Sequence, residues 1–269
     1  MKKSRWRALA LGPWMVGVFA CAALFGPWLA PQLPGEVDLA HAYELASPRH
    51  WLGTGDNGVD LGSAVLYGAR VAAFIATWVV ALNLLLGASL GLLAGYLGGI
   101  CDHLVSGAAD LLQAFPAIVL QIAILALAET PGMPHLILAL VIPGWTIYAR
   151  IARAEALRLR ALTFVEAAQA LGYSRRRILL RHIAPNLLGP LMSQAASGFG
   201  YAILAEATLS YLGLGPSLAL SWGALLDQGS AVLLRFPHVT LVAGSAMAFT
   251  VLGFHLSGDW LRDRWDLRA

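Results

Sequence analysis

The residues with the greatest chemical reach in this chain sit together between Arg150 and Pro185. That stretch carries eight arginines among strong helix formers, and local signals divide it. Thr163-Phe164-Val165-Glu166 has the spacing of a capping box, in which Thr163 satisfies the free amide of Glu166 and Glu166 reaches back to the amide of Thr163. A short helix is predicted through Ala167, Ala168, Gln169, Ala170 and Leu171, and Gly172 suits a left-handed stop. Ser174 can cap a second helix bearing Arg175, Arg176, Arg177 and Arg181. Pro185 and Asn186 then open a third, where a missing amide costs nothing. Helix, sharp turn, helix is a shape for pressing into a partner's groove. The small side chains of Ala167, Ala168 and Gly172 permit close backbone approach. The work implied is mechanical.

Bond-making chemistry finds little support elsewhere. A phosphate-cradling loop needs Gly-x-x-x-x-Gly-Lys-Ser/Thr, and the only lysines are Lys2 and Lys3. Cys21 and Cys101 make neither a disulfide framework nor a zinc-finger spacing. The seven histidines are scattered without a paired ligand motif, although His41 and His50 could touch a metal cargo. No nucleophile–base pair suggests an intramembrane enzyme.

Composition sets the frame that must hold these residues. Of 269 residues, 58% are hydrophobic and 12% charged. Soluble domains run at roughly 45–50% apolar and about 25% charged, so too little polar surface remains to coat a water-soluble globule. The chain is expected to be all-α and to cross a bilayer several times. A crossing helix needs about 20 mainly apolar residues. Six windows qualify: Ala8–Leu29, Val71–Leu97, Leu104–Ala128, Pro134–Ala149, Leu187–Leu212 and Phe236–Ser257. The first follows four basic residues as a signal peptide would. Its apolar run continues to Leu29 with no small-residue cleavage pair, so it is expected to stay as a span.

Six crossings put both termini on one side. All of the 18 Lys and Arg except Arg49, Arg70 and Arg235 then fall there too. Basic loops stay cytoplasmic, so both ends are expected in the cytosol, and the charge reports topology rather than nucleic-acid binding. Two segments are too long to be connectors: an outer stretch over 30–69 and the cytoplasmic stretch over 150–185. Gly87, Gly91 and Gly95 recur every four residues and predict tight helix packing.

Three polar features inside spans remain. Asp110 is either a pathway or gate residue or a tie to a neighbouring helix or the Arg150 region. Glu206 has the same two readings, with Thr208 and Ser210 as neighbours. Asn83, Gln113 and Gln121 are expected to hydrogen-bond between helices.

Glu166-Ala167-Ala168, three residues, then Gly172, with Pro185 thirteen further on, resembles the cytoplasmic loop of ATP-binding-cassette importer permeases. Its isoleucine and leucine slots hold His182 and Ala184. Further motifs narrow the likeness to the dipeptide, oligopeptide and nickel permease family, on its C-type subunit. They are Leu52-Gly53-Thr54 with Gly58, Asp60, Ser63, Gly68 and Arg70; Asp110 with Phe115-Pro116; Tyr211-Leu212-Gly213-Leu214-Gly215; Trp222-Gly223; and Gly258-Asp259-Trp260-Leu261-Arg262-Asp263. The family usually has an acid at Gly55, basic residues at Val59 and Ala64, and a tail proline at Leu267.

The resemblance implies a single permease domain of type I importer fold that hydrolyses nothing itself. Glu166, Ala167, Ala168, Gly172 and Pro185 would belong to a coupling helix docked in a cytoplasmic ATPase, with ATP and Mg used by two such partner subunits and no cofactor bound by this chain. The other implied partners are a homologous B-type permease, membrane lipid and an extracytoplasmic binding protein that meets segment 30–69 and residues 210–227. The setting would be a bacterial inner membrane. Short peptides are the expected cargo, with nickel or a metal chelate as the alternative. A gradient-driven secondary transporter would not need the cytoplasmic loop, and its inverted repeat is not evident.

Overall fold

The computed structural model describes residues 2–33, 36–215 and 220–266. Leu267, Arg268 and residues 216–219 of the expected outer surface lie outside them. Ten helices follow in order: α1 (Lys2–Leu29), α2 (Leu61–Leu97), α3 (Gly99–Gln113), α4 (Ala117–Ala126), α5 (Met133–Arg160), α6 (Thr163–Ala170), α7 (Arg175–Ile178), α8 (Leu188–Tyr211), α9 (Trp222–Ala231) and α10 (Pro237–Asp266). Among the described residues no strand forms, only an isolated bridge between Thr54 and Asp60. The all-α expectation holds.

At the centre α2 packs on α5, α1 and α8, while α10 closes the bundle against α1, α8 and α9. The glycine stripe explains the tightest of these contacts. A Cβ on Gly91 would lie 2.1 Å from the carbonyl oxygen of Ala149, and Gly87 and Gly95 meet Trp145 and Arg153 in the same way one turn to either side. Small residues let two helix backbones approach to this distance, and dispersion along the seam then holds them.

α1, α2, α5 and α10 are each long and apolar enough to cross a membrane. Several boundaries differ from expectation. α2 begins at Leu61, not Val71, because Asp60 caps it: its Oδ2 accepts a 2.7 Å hydrogen bond from the Ser63 amide. The 37-residue helix is about 55 Å long, well over the roughly 30 Å hydrocarbon layer. The window over 104–128 is broken rather than continuous. α3 and α4 meet at 87° across Ala114-Phe115-Pro116, where proline lacks a donor and disfavours helix at the residue before it. α5 passes through Pro143 and runs on to Arg160, eleven residues past the expected end; the Thr146 hydroxyl donates to the Pro143 carbonyl at 2.8 Å. α8 has 24 residues, long enough to span, but Ser193, Gln194, Ser197, Glu206, Thr208 and Ser210 lower its hydropathy.

Candidate functional site

Leu159 near the end of α5 is buried, and after Arg160 two residues turn the chain into α6. Leu162, extended at φ −88° and ψ 149°, takes the cap position, and its carbonyl accepts from the Val165 amide at 2.9 Å. The expected capping box is therefore absent. Thr163 is already the first helical residue, so its hydroxyl lies one position too late to cap, and no side-chain cap bond forms. Glu166 still sits in the first turn, where a carboxylate complements the helix dipole.

The other end of α6 follows expectation. Gly172 adopts φ +77°; its amide donates to the Gln169 carbonyl at 2.9 Å, and the Tyr173 amide donates to Ala168 at 3.1 Å. This pair of bonds is the Schellman stop. Nothing lies within 4 Å of where a Cβ on Gly172 would stand, so the backbone angle alone calls for glycine.

Burial orients the helix. Val165 and Ala168 point inward, into a cluster with Ala152, Ala156, Leu159, Ile178 and Ile183. Glu166, Ala167, Gln169, Ala170, Leu171 and Gly172 are exposed. Of the five loop residues singled out by the family resemblance, Ala168 thus fastens α6 to the bundle. Glu166, Ala167 and Gly172 lie on its open side, and Pro185 is exposed further along.

Ser174 caps α7, its hydroxyl accepting from the Arg177 amide at 3.4 Å. The chain then widens into a π-turn over Leu179–Ile183 and tightens into a 3₁₀ turn over Ala184–Leu187 before α8. Pro185 is the cause. It cannot donate to the Arg181 carbonyl and its ring crowds it, so the Ala184 amide reaches back to Leu179 instead. The Asn186 side-chain Nδ2 donates to the His182 carbonyl at 2.6 Å, satisfying a carbonyl freed by the irregular turn. Arg175, Arg176, Arg177 and Arg181 are exposed, and among the described residues none has a carboxylate within 4 Å. Arg177 lies over the Tyr173 ring, 4.1 Å from its centroid.

The residues of α5 above this loop are tied down. Arg160 donates to the Gly95 carbonyl at the end of α2 at 3.0 Å. Arg153 grips Asp102 of α3 with two donors, one at 2.7 Å. Arg150 meets Asp110 at 2.7 Å, the tie to the Arg150 region that was one of the two readings of Asp110; both side chains are more than half exposed. One turn on, Gln113 donates to Thr146 at 2.8 Å, the interhelical role expected of it. Asn83 is buried against Gly144, and its Oδ1 and the Nε2 of buried Gln121 find no partner among the described residues.

Glu206 and Asp110 share no hydrogen bond among the described residues. Glu206 lies about 27 Å along α8 from the helix start, 1% exposed, accepting from Ser210 at 2.7 Å. Beside it Trp222 of α9 donates to the Val65 carbonyl at 3.0 Å, its ring against Gly68. His50, offered as a metal contact, is 1% exposed and bonded to Asp60 at 3.0 Å, so it faces no solute. That pairing has no sequence signal beyond the polar type of Asp60; only the turn at Gly53 brings the two together.

Residues 87–269 match the family described as the inner-membrane component of binding-protein-dependent transport systems. The chain belongs to that family. The permease is 37% identical over 249 residues to the dipeptide transport system permease protein of Alkalihalophilus pseudofirmus, covering 92% of this chain and 82% of that one. It is 38% identical over 247 residues to a probable D,D-dipeptide transport system permease protein of Escherichia coli, with 91% and 83% covered. With the oligopeptide transport system permease protein of Bacillus subtilis it shares 35% over 245 residues, 91% and 80% covered. Its helices accordingly form a multi-pass inner-membrane permease of the type I importer fold. Membership also implies ATPase and substrate-binding partners in general.

Proposed function

We propose that the permease is one half of the translocation path of an importer for short peptides, paired with a homologous B-type permease. Two cytoplasmic ATPase subunits using ATP and Mg would supply the energy, and a binding protein would supply cargo at the outer face. The three relatives are transport permeases for dipeptides, D,D-dipeptides and oligopeptides by description. A metal cargo gains nothing from His50, which is buried in an internal pair.

The observation that carries the mechanism is the continuity from span to lever. α5 runs unbroken to Arg160, and only Ala161 and Leu162 separate it from α6. Val165 and Ala168 seat α6 on the bundle, while Glu166, Ala167 and Gly172 stay open for the ATPase cleft. α2 is locked to α5 through the glycine seam. A push on α6 would therefore move α2 and α5 as one body, and the irregular turns over 179–187 would take up the strain on the way to α8. Closure of two ATPases on nucleotide would then rock the spans outward, a domain-closure switch. Both termini would face the cytosol, on the side of the arginine-rich loop.

Ala167→Trp tests this reading without touching the backbone. Its side chain is exposed, so insertion and melting temperature should stay within experimental error, while ATP-driven uptake of a dipeptide into proteoliposomes should fall at least tenfold. Full uptake in that variant would remove α6 from the coupling path. Uptake that persists without ATP but collapses with the proton gradient would instead establish a secondary transporter.

A further inference from the structure

Two concavities lie end to end where α7 passes into α8. The first, about 340 Å³, is lined by Ser174, Arg176, Arg177, Leu180 and Arg181. Its three guanidiniums have no carboxylate partner among the described residues. The second, about 460 Å³, is apolar and lies between α2 and α8, with Leu84, Leu85, Ala88, Leu188, Leu191 and Met192 in its wall. Arg181 of the first and Ala184 of the second are three residues apart on one helical run, about 5 Å along its axis. Leu180 of the first and Leu188 of the second are both more than half exposed, one on either side of Ala184 in the chain.

We propose that this is a binding site for one anionic phospholipid, its phosphodiester in the arginine pocket and an acyl chain along the α2–α8 groove. Guanidiniums present forked donors that match phosphate oxygens, and basic pockets between spanning helices select acidic headgroups. The apolar continuation decides the source. A free phosphate ion or an acidic protein surface would use the arginines alone, whereas a groove walled by leucines on two helices of a membrane protein suits a hydrocarbon tail. The site lies on the run that links α6 to α8, so a seated lipid would stiffen the irregular joint over 179–187.

The test is lipid retention by the intact transporter complex extracted from vesicles of equal dioleoylphosphatidylglycerol and dioleoylphosphatidylcholine, read by native mass spectrometry. The glycerol lipid should be held at least tenfold over the choline lipid. Each arginine near a membrane surface is worth about fivefold, so R176Q/R181Q should lower retention about 25-fold, while R176K/R181K, which keeps the charge, should hold most of it. Ala88→Phe fills the groove without touching a charge and should also lower retention. Equal retention of the two lipids would overturn the site. So would displacement of the lipid by millimolar inorganic phosphate, or retention unchanged in R176Q/R181Q while the ATPase subunits dissociate, which would give the arginines to the protein partner.

Discussion

The segment from Asp38 to Asp60 and the basic loop from Ala161 to Leu187 are both irregular chain between long helices, yet they handle their polar groups in opposite ways. In the first, the polar groups at the centre turn inward. His50, Thr54 and Asp60 are each 2% exposed or less. Asp60 holds both His50 and the first turn of α2, and the Thr54 backbone carbonyl accepts from the His238 ring of α10 at 3.1 Å. Tyr43 stacks on Phe236 at 4.5 Å and donates to Asp56. In the basic loop the arrangement is reversed: Val165, Ala168, Ile178 and Ile183 are buried while four arginines stay outside without a carboxylate partner among the described residues. A segment that ties most of its polar groups to one another is a clamp, although the Nε2 of buried His50 has no partner among the described residues. One that leaves its charges open keeps them free for another surface.

The sharpest way to break that contrast is to remove the centre of the clamp. Asp60→Ala deletes a helix cap and strips the buried His50 of its partner. Leaving a buried polar group without its hydrogen-bond partner costs about 1–3 kcal/mol, and losing the cap adds about 0.5–2 kcal/mol. The detergent-solubilised permease should therefore melt well below wild type, while Asp60→Asn, which keeps an acceptor for the Ser63 amide, should lose less. No substitution of a single arginine in 175–181 should approach this, because exposed unpaired charges give up little. An Asp60→Ala protein as stable as Arg176→Ala would erase the distinction.

Two glycines sharpen it further. Gly58 and Gly172 both have positive φ, at +71° and +77°. A Cβ at Gly58 would fall 1.8 Å from the Asp38 carbonyl oxygen, whereas at Gly172 it would meet open space. Alanine at either position incurs the left-handed penalty of about 1–2 kcal/mol. Only Gly58→Ala adds a backbone clash, and overpacking of that kind costs about 1–3 kcal/mol more. Chemical denaturation should rank the two accordingly, and Gly172→Asn should be nearly neutral, since asparagine tolerates this conformation. Equal losses for the two alanines would show that the basic loop is as tightly packed as the clamp.

How much of this is legible in the sequence depends on whether the deciding contact is local. The stop at Gly172, the cap at Ser174 and the glycine seam are legible because spacing alone fixes them. The Thr163 box fails by one residue: Leu162 enters the helix in extended form, so the hydroxyl misses its amide. The start of α2 lies before the apolar window because Asp60, Ser63 and Arg70 dilute that run, although an aspartate just ahead of a helical pattern is itself a cap signal. Pro116 is visible as a residue but not as an 87° bend, since the same residue type at Pro143 leaves α5 intact. The ties Asp102–Arg153 and His50–Asp60 are long-range or depend on a turn, and neither partner names the other. For the loop, the sequence indicates a short helix stopped at Gly172 but not which of its faces is open; that Ala168 is an anchor follows only from its packing.

The smallest effect concerns the rim of the clamp, where exposed charge does meet a partner. Asp38 and His41 lie 2.7 Å apart, each about one-third exposed. The hydrogen bond from His41 is the main cause that holds the Asp38 carboxyl below its ordinary range, with the imidazole charge adding to it. A depressed carboxyl contributes stability above the pH at which the unfolded chain ionises, and that contribution fades as pH falls through the lower folded value. The signature should be an acid-side loosening of this turn below about pH 4, read as faster amide exchange near Leu39–His41. Asp38→Asn should flatten that slope and leave neutral-pH melting almost unchanged, because solvent and salt screen such pairs. If the mutant instead melted like Asp60→Ala, the rim and the centre of the clamp would be one cooperative unit. The contrast would then run between whole segments rather than between buried and open charge.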